Sequence, residues 1–245
     1  MVLFFERVKF SGTDSYFTVF GLGRKMLPVD VDEFVRGSVE ARRFVEAEGD
    51  ARDLFRIAYH AVSSLKSSCV DFSERGGDGS PYSAEAKLLS SEEGERIVKQ
   101  IRVGDDMNGI EVNLWSYSGE KSDSRIEKTA RRIRETLSRV GELSGEGVKN
   151  FHSAVIIERK LDLSLNRLLT GATSQQVYFD VADARERMIL LLGRFDPIII
   201  QMEKALEELT KLKKDEPIKK EVGERIALSI LRWKKRINDY ISQLE

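Results

Sequence analysis

Residues 177–214 read VYFDVADARERMILLLGRFDPIIIQMEKALEELTKLKK, and their apolar spacing decides the fold. Apolar side chains recur at intervals of three and four residues, at Val181, Ala184, Met188, Leu191, Phe195, Ile198, Met202, Ala205, Leu209 and Leu212. This spacing places them on one stripe of an α-helix over about four heptads, which is typical of a coiled coil. We predict a long helix whose interaction seam comprises Val181, Met188, Leu191, Phe195, Ile198, Met202 and Leu209.

Pro197 lies within this seam. A proline inside a helix removes one backbone hydrogen bond and costs about 3 kcal/mol, whereas Asp-Pro is also a favourable start for a new helix. Because the apolar repeat keeps its phase across Pro197, we expect one kinked helix over 177–214. Such a helix would be about 57 Å long at 1.5 Å per residue, which exceeds what a compact domain needs and favours pairing with a partner.

Three further stretches share this helical periodicity. Apolar residues recur at three and four over 126–140, 148–169 and 222–244. Glycine or proline residues separate the stretches, as expected at helix ends. Short connections favour antiparallel neighbours, so we predict an up-down bundle in which the final helix packs on the third. Most amphipathic stripes are buried within their own domain, and an intermolecular coiled coil is the alternative.

The N-terminal half begins with strand patterns. Residues 2–10 and 16–20 are rich in Phe and Val and flank a polar turn, which predicts a β-hairpin. A capping aspartate and first-turn acids near Asp32 predict a helix with an irregular apolar face, extending to Val45. A second helix is predicted after Asp50, where apolar residues again repeat at three and four.

The remainder of this half is predicted to hold a loop, short strands and a linker. Residues 69–80 lose periodicity and gather glycines, which indicates a mobile loop. Residues 95–103 and 110–115 predict strands joined by an Asn-Gly turn, and 116–124 is predicted to be a linker. The predicted fold is mostly α. It comprises a small α+β N-terminal region at 1–121 followed by an up-down bundle of long amphipathic helices at 122–245.

Composition bounds the class of protein. A chain of 245 residues with 41% hydrophobic residues can bury a proper core. It holds a single cysteine, so its fold cannot rest on an internal disulfide, and no apolar run reaches the length of a signal peptide or membrane span. We therefore expect a soluble, cytoplasmic protein.

Residues that could support catalysis or metal binding are scarce. The chain has two histidines and one cysteine, and neither His60 nor His152 has a second soft ligand at metal-binding spacing. We predict no cofactor and no metal. The run Arg56-Ile57-Ala58-Tyr59-His60 resembles the Arg and His pair of HEPN-type ribonucleases, although three residues intervene here against four to six in that family. The resemblance would imply RNA cleavage, and a surface pair of Arg56 with His60 is the structural alternative.

Clusters of basic residues are the strongest functional signal in the sequence. Residues 1–122 hold 16 Lys/Arg against 21 Asp/Glu, whereas residues 123–245 hold 24 against 20. The candidate residues for nucleic-acid binding are Arg125, Lys128, Arg132, Arg139, Lys213, Lys214, Arg232, Lys235 and Arg236. Such cations could neutralise nucleic-acid phosphates or an anionic membrane surface, and solvated helix faces are the alternative.

These patterns predict a function in binding rather than in catalysis. We expect a non-enzymatic assembly or adaptor protein that acts through long helical faces and self-associates or binds a protein partner. A nucleic-acid-binding protein that uses the basic helix faces is the alternative. A ribonuclease, or an enzyme of a type that we do not recognise, is the second alternative.

Overall fold

The described part of the chain forms two compact units. The computed structural model describes residues 3–9, 16–22, 31–63, 67–77, 79–92, 94–117, 119–214 and 217–244. One unit, termed the sheet unit, comprises Val29–Val148. The other, termed the helical unit, comprises Met1–Pro28 and Lys149–Glu245.

A β-hairpin lies at the start of the chain. Strand β1 (Leu3–Lys9) pairs with strand β2 (Tyr16–Leu22) in antiparallel register, with Phe5 opposite Phe20. The predicted hairpin is confirmed. Its predicted polar turn at 11–15 lies outside the described residues.

The sheet unit is an antiparallel sheet with helices. Its elements in chain order are α1 (Val31–Gly37), β3 (Val39–Glu46), α2 (Ala51–Val62), β4 (Ser67–Gly77), β5 (Ser80–Glu92), β6 (Glu95–Gly104), β7 (Gly109–Ser116) and α3 (Gly119–Glu142). The strand order is β3-β7-β6-β5-β4, and every neighbouring pair is antiparallel. The predicted strands at 95–103 and 110–115 are confirmed as β6 and β7.

One face of this sheet carries the core of the unit. Ile101 on β6 lies opposite Val112 on β7, and both side chains are fully buried. Helix α2 packs over β5, β6 and β7, while α3 packs over β3 and β7. Phe55 from α2 and Ile133 from α3 are buried as well. The alternation of each strand thus buries one set of side chains beneath two amphipathic helices.

The described residues of the helical unit form a β-hairpin and four helices, and successive helices run antiparallel. They are α4 (Gly145–Thr170), which starts just before the boundary between the units, α5 (Ser174–Leu192), α6 (Pro197–Thr210) and α7 (Lys220–Ile241). Ion pairs connect successive helices along their lengths. These pairs are Lys160–Asp183, Arg167–Asp180, Arg185–Glu203, Arg225–Glu208 and Arg236–Asp196. A further pair, Asp162–Lys234, links α4 with α7 and is fully buried at both residues.

The predicted fold class is wrong. A five-stranded antiparallel sheet spanning residues 39–116 occupies the middle of the chain, so the protein is not a small α+β region followed by a helical bundle. The first helix assigned to that bundle, now α3, packs on the sheet instead. Its apolar stripe is real, but periodicity shows only that a helix buries one face, not what covers that face.

Three local predictions in this region are also wrong. The stretch from Val39 to Val45 is strand β3 rather than helix, since Ala41 and Val45 alternate inward. The glycine-containing stretch predicted as a mobile loop is strand β4. The predicted linker at 116–124 mostly belongs to α3, which begins at Gly119.

The helix expected to run through Pro197 is two helices. Gly193 ends α5 with a φ of 87°, and the Asp196 carboxylate accepts a hydrogen bond of 3.0 Å from the Ile198 amide. Pro197 then occupies the first turn of α6, where its missing amide costs nothing. The connection over 193–196 is close in length to one helical turn, so the apolar repeat keeps its phase although the chain reverses.

Other predicted helices are confirmed. Helix α2 begins after Asp50, whose carboxylate accepts hydrogen bonds from the amides of Arg52 and Asp53 at 2.9 and 3.4 Å. Helices α4 and α7 cover the second and last predicted stretches. Within the described ranges, none of the helices has both the length and the apolar character needed to cross a membrane.

Candidate interaction site

The turn between α5 and α6 carries the two most exposed large apolar side chains of the described residues. Leu190 is 88% exposed and Phe195 is 92% exposed. Ile200, on the first turns of α6, is also exposed. We call this end of the helical hairpin, residues 188–200, the apolar tip. Contiguous exposed apolar surface is typical of interaction sites, so the apolar tip is a candidate binding surface.

Local backbone chemistry fixes the shape of the apolar tip. The Gly193 amide donates to the Ile189 carbonyl at 3.0 Å, which ends α5, and the positive φ of Gly193 reverses the chain. The Asp196 carboxylate caps α6 only three residues later. Arg194 and Phe195 therefore lie at the outer bend, where neither α5 nor α6 covers them.

The apolar tip contains two charged residues, Arg194 and Asp196, and only the positive charge of Arg194 is exposed to water. Asp196 is only 9% exposed at its side chain and accepts hydrogen bonds from Arg236 of α7, the shorter being 3.0 Å. Arg194 is exposed, and within the described residues it makes no hydrogen bond or ion pair. The side chains left in contact with water are apolar apart from this one cation.

The predicted interaction seam is divided by the fold. Val181, Met188, Met202 and Leu209 are buried in the helical unit. Leu191 and Ile198 are half-buried beside the turn, and Phe195 is exposed at its outer bend. Most seam residues are therefore buried within the helical unit, and the exposed seam residue, Phe195, belongs to the apolar tip.

The first predicted basic cluster lies on α3 in the sheet unit. Arg125 is buried and pairs with Glu95 of β6. Lys128 and Arg132 are exposed, and no hydrogen bond or ion pair engages their side chains in the described part of the chain. Arg139 is exposed and donates a hydrogen bond of 3.3 Å to the Thr136 hydroxyl. Arg125 is therefore paired with an acid and Arg139 with a hydroxyl, whereas the side chains of Lys128 and Arg132 have neither kind of partner among the described residues.

The second predicted basic cluster lies in the helical unit and is split between its two ends. Arg232, Lys235 and Arg236 are on α7, and Arg236 contacts the capping residue Asp196. Lys213 and Lys214 follow the opposite end of α6, which at 1.5 Å per residue is about 20 Å away. The structure does not bring these two groups together, nor does either share a unit with the cations of α3.

One charged cluster was missed by the sequence analysis. Lys99 on β6 is only 5% exposed and pairs with Glu92 of β5. Burial lowers the pKa of the Lys99 ammonium and Glu92 raises it, while Arg132 and Lys128 lower it further, so the pKa lies below its ordinary value. Burial raises the pKa of Glu92, but the charge and hydrogen bond of Lys99 outweigh that effect and hold it below its ordinary value.

A signal for this cluster was present in the sequence. Ile97, Lys99 and Ile101 share one face of β6, so a charged residue occupies the buried phase of an otherwise apolar alternation. A buried ammonium requires a partner, and the strand pattern alone did not locate the carboxylate that supplies it.

The Arg56 side chain of the motif that resembles a ribonuclease is engaged by a neighbouring acid on the same helix. Arg56 donates to the Asp53 carboxylate at 3.0 Å, one turn back along α2. The surface pair of Arg56 with His60 stays a prediction. Both residues are half-buried.

An acidic cleft lies at one end of the sheet unit. It has a volume of about 880 Å³ and is lined by residues of the β3–α2 connection and of the β6–β7 turn. Its acidic lining residues are Glu46, Glu48, Asp50 and Asp105. Among the residues that the structure describes, no group of three or more His, Cys, Asp or Glu side chains could hold a metal ion.

Comparison with known proteins adds no relative from which a role could be transferred. The apolar tip, the basic residues of α3 and the Lys99 cluster must be interpreted from their own chemistry. No protein-family model, no curated protein and no solved structure matches this chain.

Proposed function

We propose that the protein is an adaptor that binds a partner protein through the apolar tip. The observation that supports this is the near-complete exposure of Leu190 and Phe195. Full burial of a Leu or Phe side chain stabilises by about 1.5–3 kcal/mol each. Folding of this chain does not gain that stabilisation at these two positions, so a complex that covers them can gain it.

The rigid backbone at the turn favours binding over simple disorder. Gly193 and Asp196 hold both helix ends, so Phe195 is presented without a large ordering cost. An aromatic anchor beside an arginine is also the composition found at the energetic centres of protein interfaces. The tip has both residue types within two adjacent positions, Arg194 and Phe195.

Charge complementarity defines the chemistry of the partner. Arg194 is the exposed charge of the tip, because Asp196 is buried against Arg236. Lys235 and Arg232 lie nearby on α7, and both are exposed. The partner is therefore a protein with an apolar pocket for Phe195 and a carboxylate at the rim of that pocket.

Self-association is a distinct outcome rather than the proposal. The seam residues that would build a coiled coil, such as Met188 and Met202, are already buried within the chain. A second copy would have to bind through the small surface that remains at the tip. A lipid surface would use the same apolar side chains but would not require a carboxylate.

Site-specific crosslinking tests this proposal. A photoreactive amino acid replaces Phe195 in the full chain within its native cells, and Leu228 of α7, which is 38% exposed, serves as the control position. We expect one protein adduct at residue 195 that is absent at residue 228. The purified adduct partner must then bind the wild-type chain and require one of its own acidic residues. Adducts only with lipid, only with a second copy, or equally at both positions would overturn the proposal.

A further inference from the structure

A second surface of functional interest lies in the sheet unit, where α3 lies near the β5–β6 hairpin. Lys99 faces the buried side of β6, between Leu88 on β5 and Leu114 on β7 in the strand register. Neither leucine can solvate an ammonium, so Lys99 extends to the Glu92 carboxylate near the end of β5.

Two further cations act on this ion pair from α3. Lys128 and Arg132 are one helical turn apart, so their side chains share a face. The ion pair of Arg125 with Glu95 holds this face of α3 against the β5–β6 hairpin, because Glu95 lies opposite Glu92 in the strand register. Lys128 and Arg132 also perturb the titration of Lys99 and of Glu92. Arg125 lies on the same face but is compensated by Glu95.

The resulting cluster carries more positive than negative charge. Counted over the described residues of this cluster, three cations, Lys99, Lys128 and Arg132, share one carboxylate, Glu92, which is an excess of two positive charges. Neither the Lys128 ammonium nor the Arg132 guanidinium has a hydrogen-bond or ion-pair partner among the described residues. Like charges held together cost free energy that a bound anion would recover.

We propose that Lys128 and Arg132, with Lys99 beneath them, bind a phosphate group. A phosphate monoester carries about −1.5 to −2 charges at neutral pH, which matches the excess at this cluster. The planar Arg132 guanidinium can donate two hydrogen bonds to phosphate oxygens, and the Lys128 ammonium supplies a point charge. The phosphate can come from a free small molecule or from a nucleic-acid backbone, and both sources present the same chemistry.

The test compares matched pairs of cations on one helix. Inorganic phosphate and a short single-stranded RNA are titrated separately into the full-length protein and into the double variant Lys128→Ala/Arg132→Ala. The control is Arg131→Ala/Arg134→Ala, which removes the same charge from α3 at residues already paired with Glu135 and Glu127. All four side chains are exposed, so both variants should fold.

The expected result is saturable binding of phosphate or RNA by the wild-type protein. We expect it to weaken roughly tenfold or more in the Lys128/Arg132 variant and to change less than about threefold in the control. Binding of phosphate alone identifies a small-molecule site, and tight RNA binding with a steep salt dependence identifies a nucleic-acid site. The proposal is overturned if neither ligand binds, or if the two variants weaken binding equally. Its outcome is independent of the adaptor proposal, which concerns the helical unit.

Discussion

The Arg236 guanidinium on α7 lies 3.0 Å from the Asp196 carboxylate that caps α6. The Asp196 carboxylate therefore has two roles. It caps the start of α6 after the α5–α6 turn, and it pairs α7 with that end of α6. The shape of the apolar tip depends on this residue. Replacing Asp196 should therefore lower the free energy of unfolding more than replacing an ordinary surface acid.

Replacing Asp196 should destabilise the chain through lost capping and ion pairing. We expect Asp196→Ala to lower the free energy of unfolding by about 1–2 kcal/mol, measured by urea denaturation. Asp239→Ala is the matched control, because Asp239 is an exposed acid on α7, and it should stay within about 0.5 kcal/mol of wild type. Equal effects of the two substitutions would contradict the role assigned to Asp196.

Two glycines should respond to alanine with opposite signs. Gly193 has a φ of 87°, and a Cβ there would meet no atom within 4 Å, so only backbone strain opposes a side chain. We expect Gly193→Ala to cost about 1 kcal/mol in unfolding free energy.

The comparison position is Gly141 in α3, where a Cβ also meets no atom within 4 Å. Alanine is the better helix former, so Gly141→Ala should stabilise by up to about 1 kcal/mol. Thermal unfolding of both variants measures the difference. A destabilised Gly141 variant, or a neutral Gly193 variant, would show that the assigned helix boundaries are wrong.

Removing one partner of the buried Lys234–Asp162 ion pair should lower the free energy of unfolding more than replacing both partners with apolar residues. Lys234 and Asp162 are both fully buried, so Lys234→Met leaves a buried carboxylate without its counterion. We expect a loss of about 3–5 kcal/mol for this single substitution. The double variant Lys234→Met/Asp162→Leu should recover part of that loss, which chemical denaturation can quantify. A double variant less stable than the single one would argue against this account.

Acid should remove the contribution of Glu92 to stability. Its folded-state pKa lies below the ordinary value of 4.5, so its charged form stabilises the fold at pH values above 4.5. That contribution is lost as the pH falls through the folded-state pKa. We expect Glu92→Gln to be destabilised by roughly 1–3 kcal/mol at pH 7, since Lys99 loses its charged partner.

The pH dependence distinguishes this charge effect from lost packing. The difference between wild type and Glu92→Gln, measured by denaturation from pH 7 to pH 3, should shrink as the carboxylate is protonated. A difference that stays constant over this range would mean that packing, rather than charge, is lost. Glu48→Gln serves as a control, since Glu48 is an exposed acid that makes no ion pair within the described residues, and its stability difference from wild type should stay small at every pH.

Periodicity predicted helices well because their burial pattern is local. The stripes from Ile126 to Val140 and from Val222 to Leu244 each lie largely within one helix. The prediction of one helix through Pro197 was wrong because the connection over 193–196 is close to one helical turn in length. A connection of that length keeps the three-and-four spacing of the apolar residues even though the chain reverses direction. The spacing alone therefore cannot distinguish one kinked helix from two antiparallel helices.

Strands were harder to predict where charge interrupts them. The sequence of β3, VEARRFVE, has arginines at both central positions, and its alternation becomes visible only once Arg43 pairs with Glu127 of α3. Strand β4 is an edge strand with two register shifts, so its pattern is irregular. The Lys99 site depends on the pairing of β5 with β6, which no short-range pattern specifies.

The adaptor proposal is tested most directly by the affinity of the partner crosslinked at residue 195. We predict that Phe195→Ser weakens binding of that purified protein at least about thirtyfold while Leu228→Ser changes it less than about threefold. The unfolding free energy of the Phe195 variant should stay within about 0.5 kcal/mol of wild type, because Phe195 is 92% exposed. Unchanged affinity in the Phe195→Ser variant would contradict the proposal that the apolar tip is the binding surface.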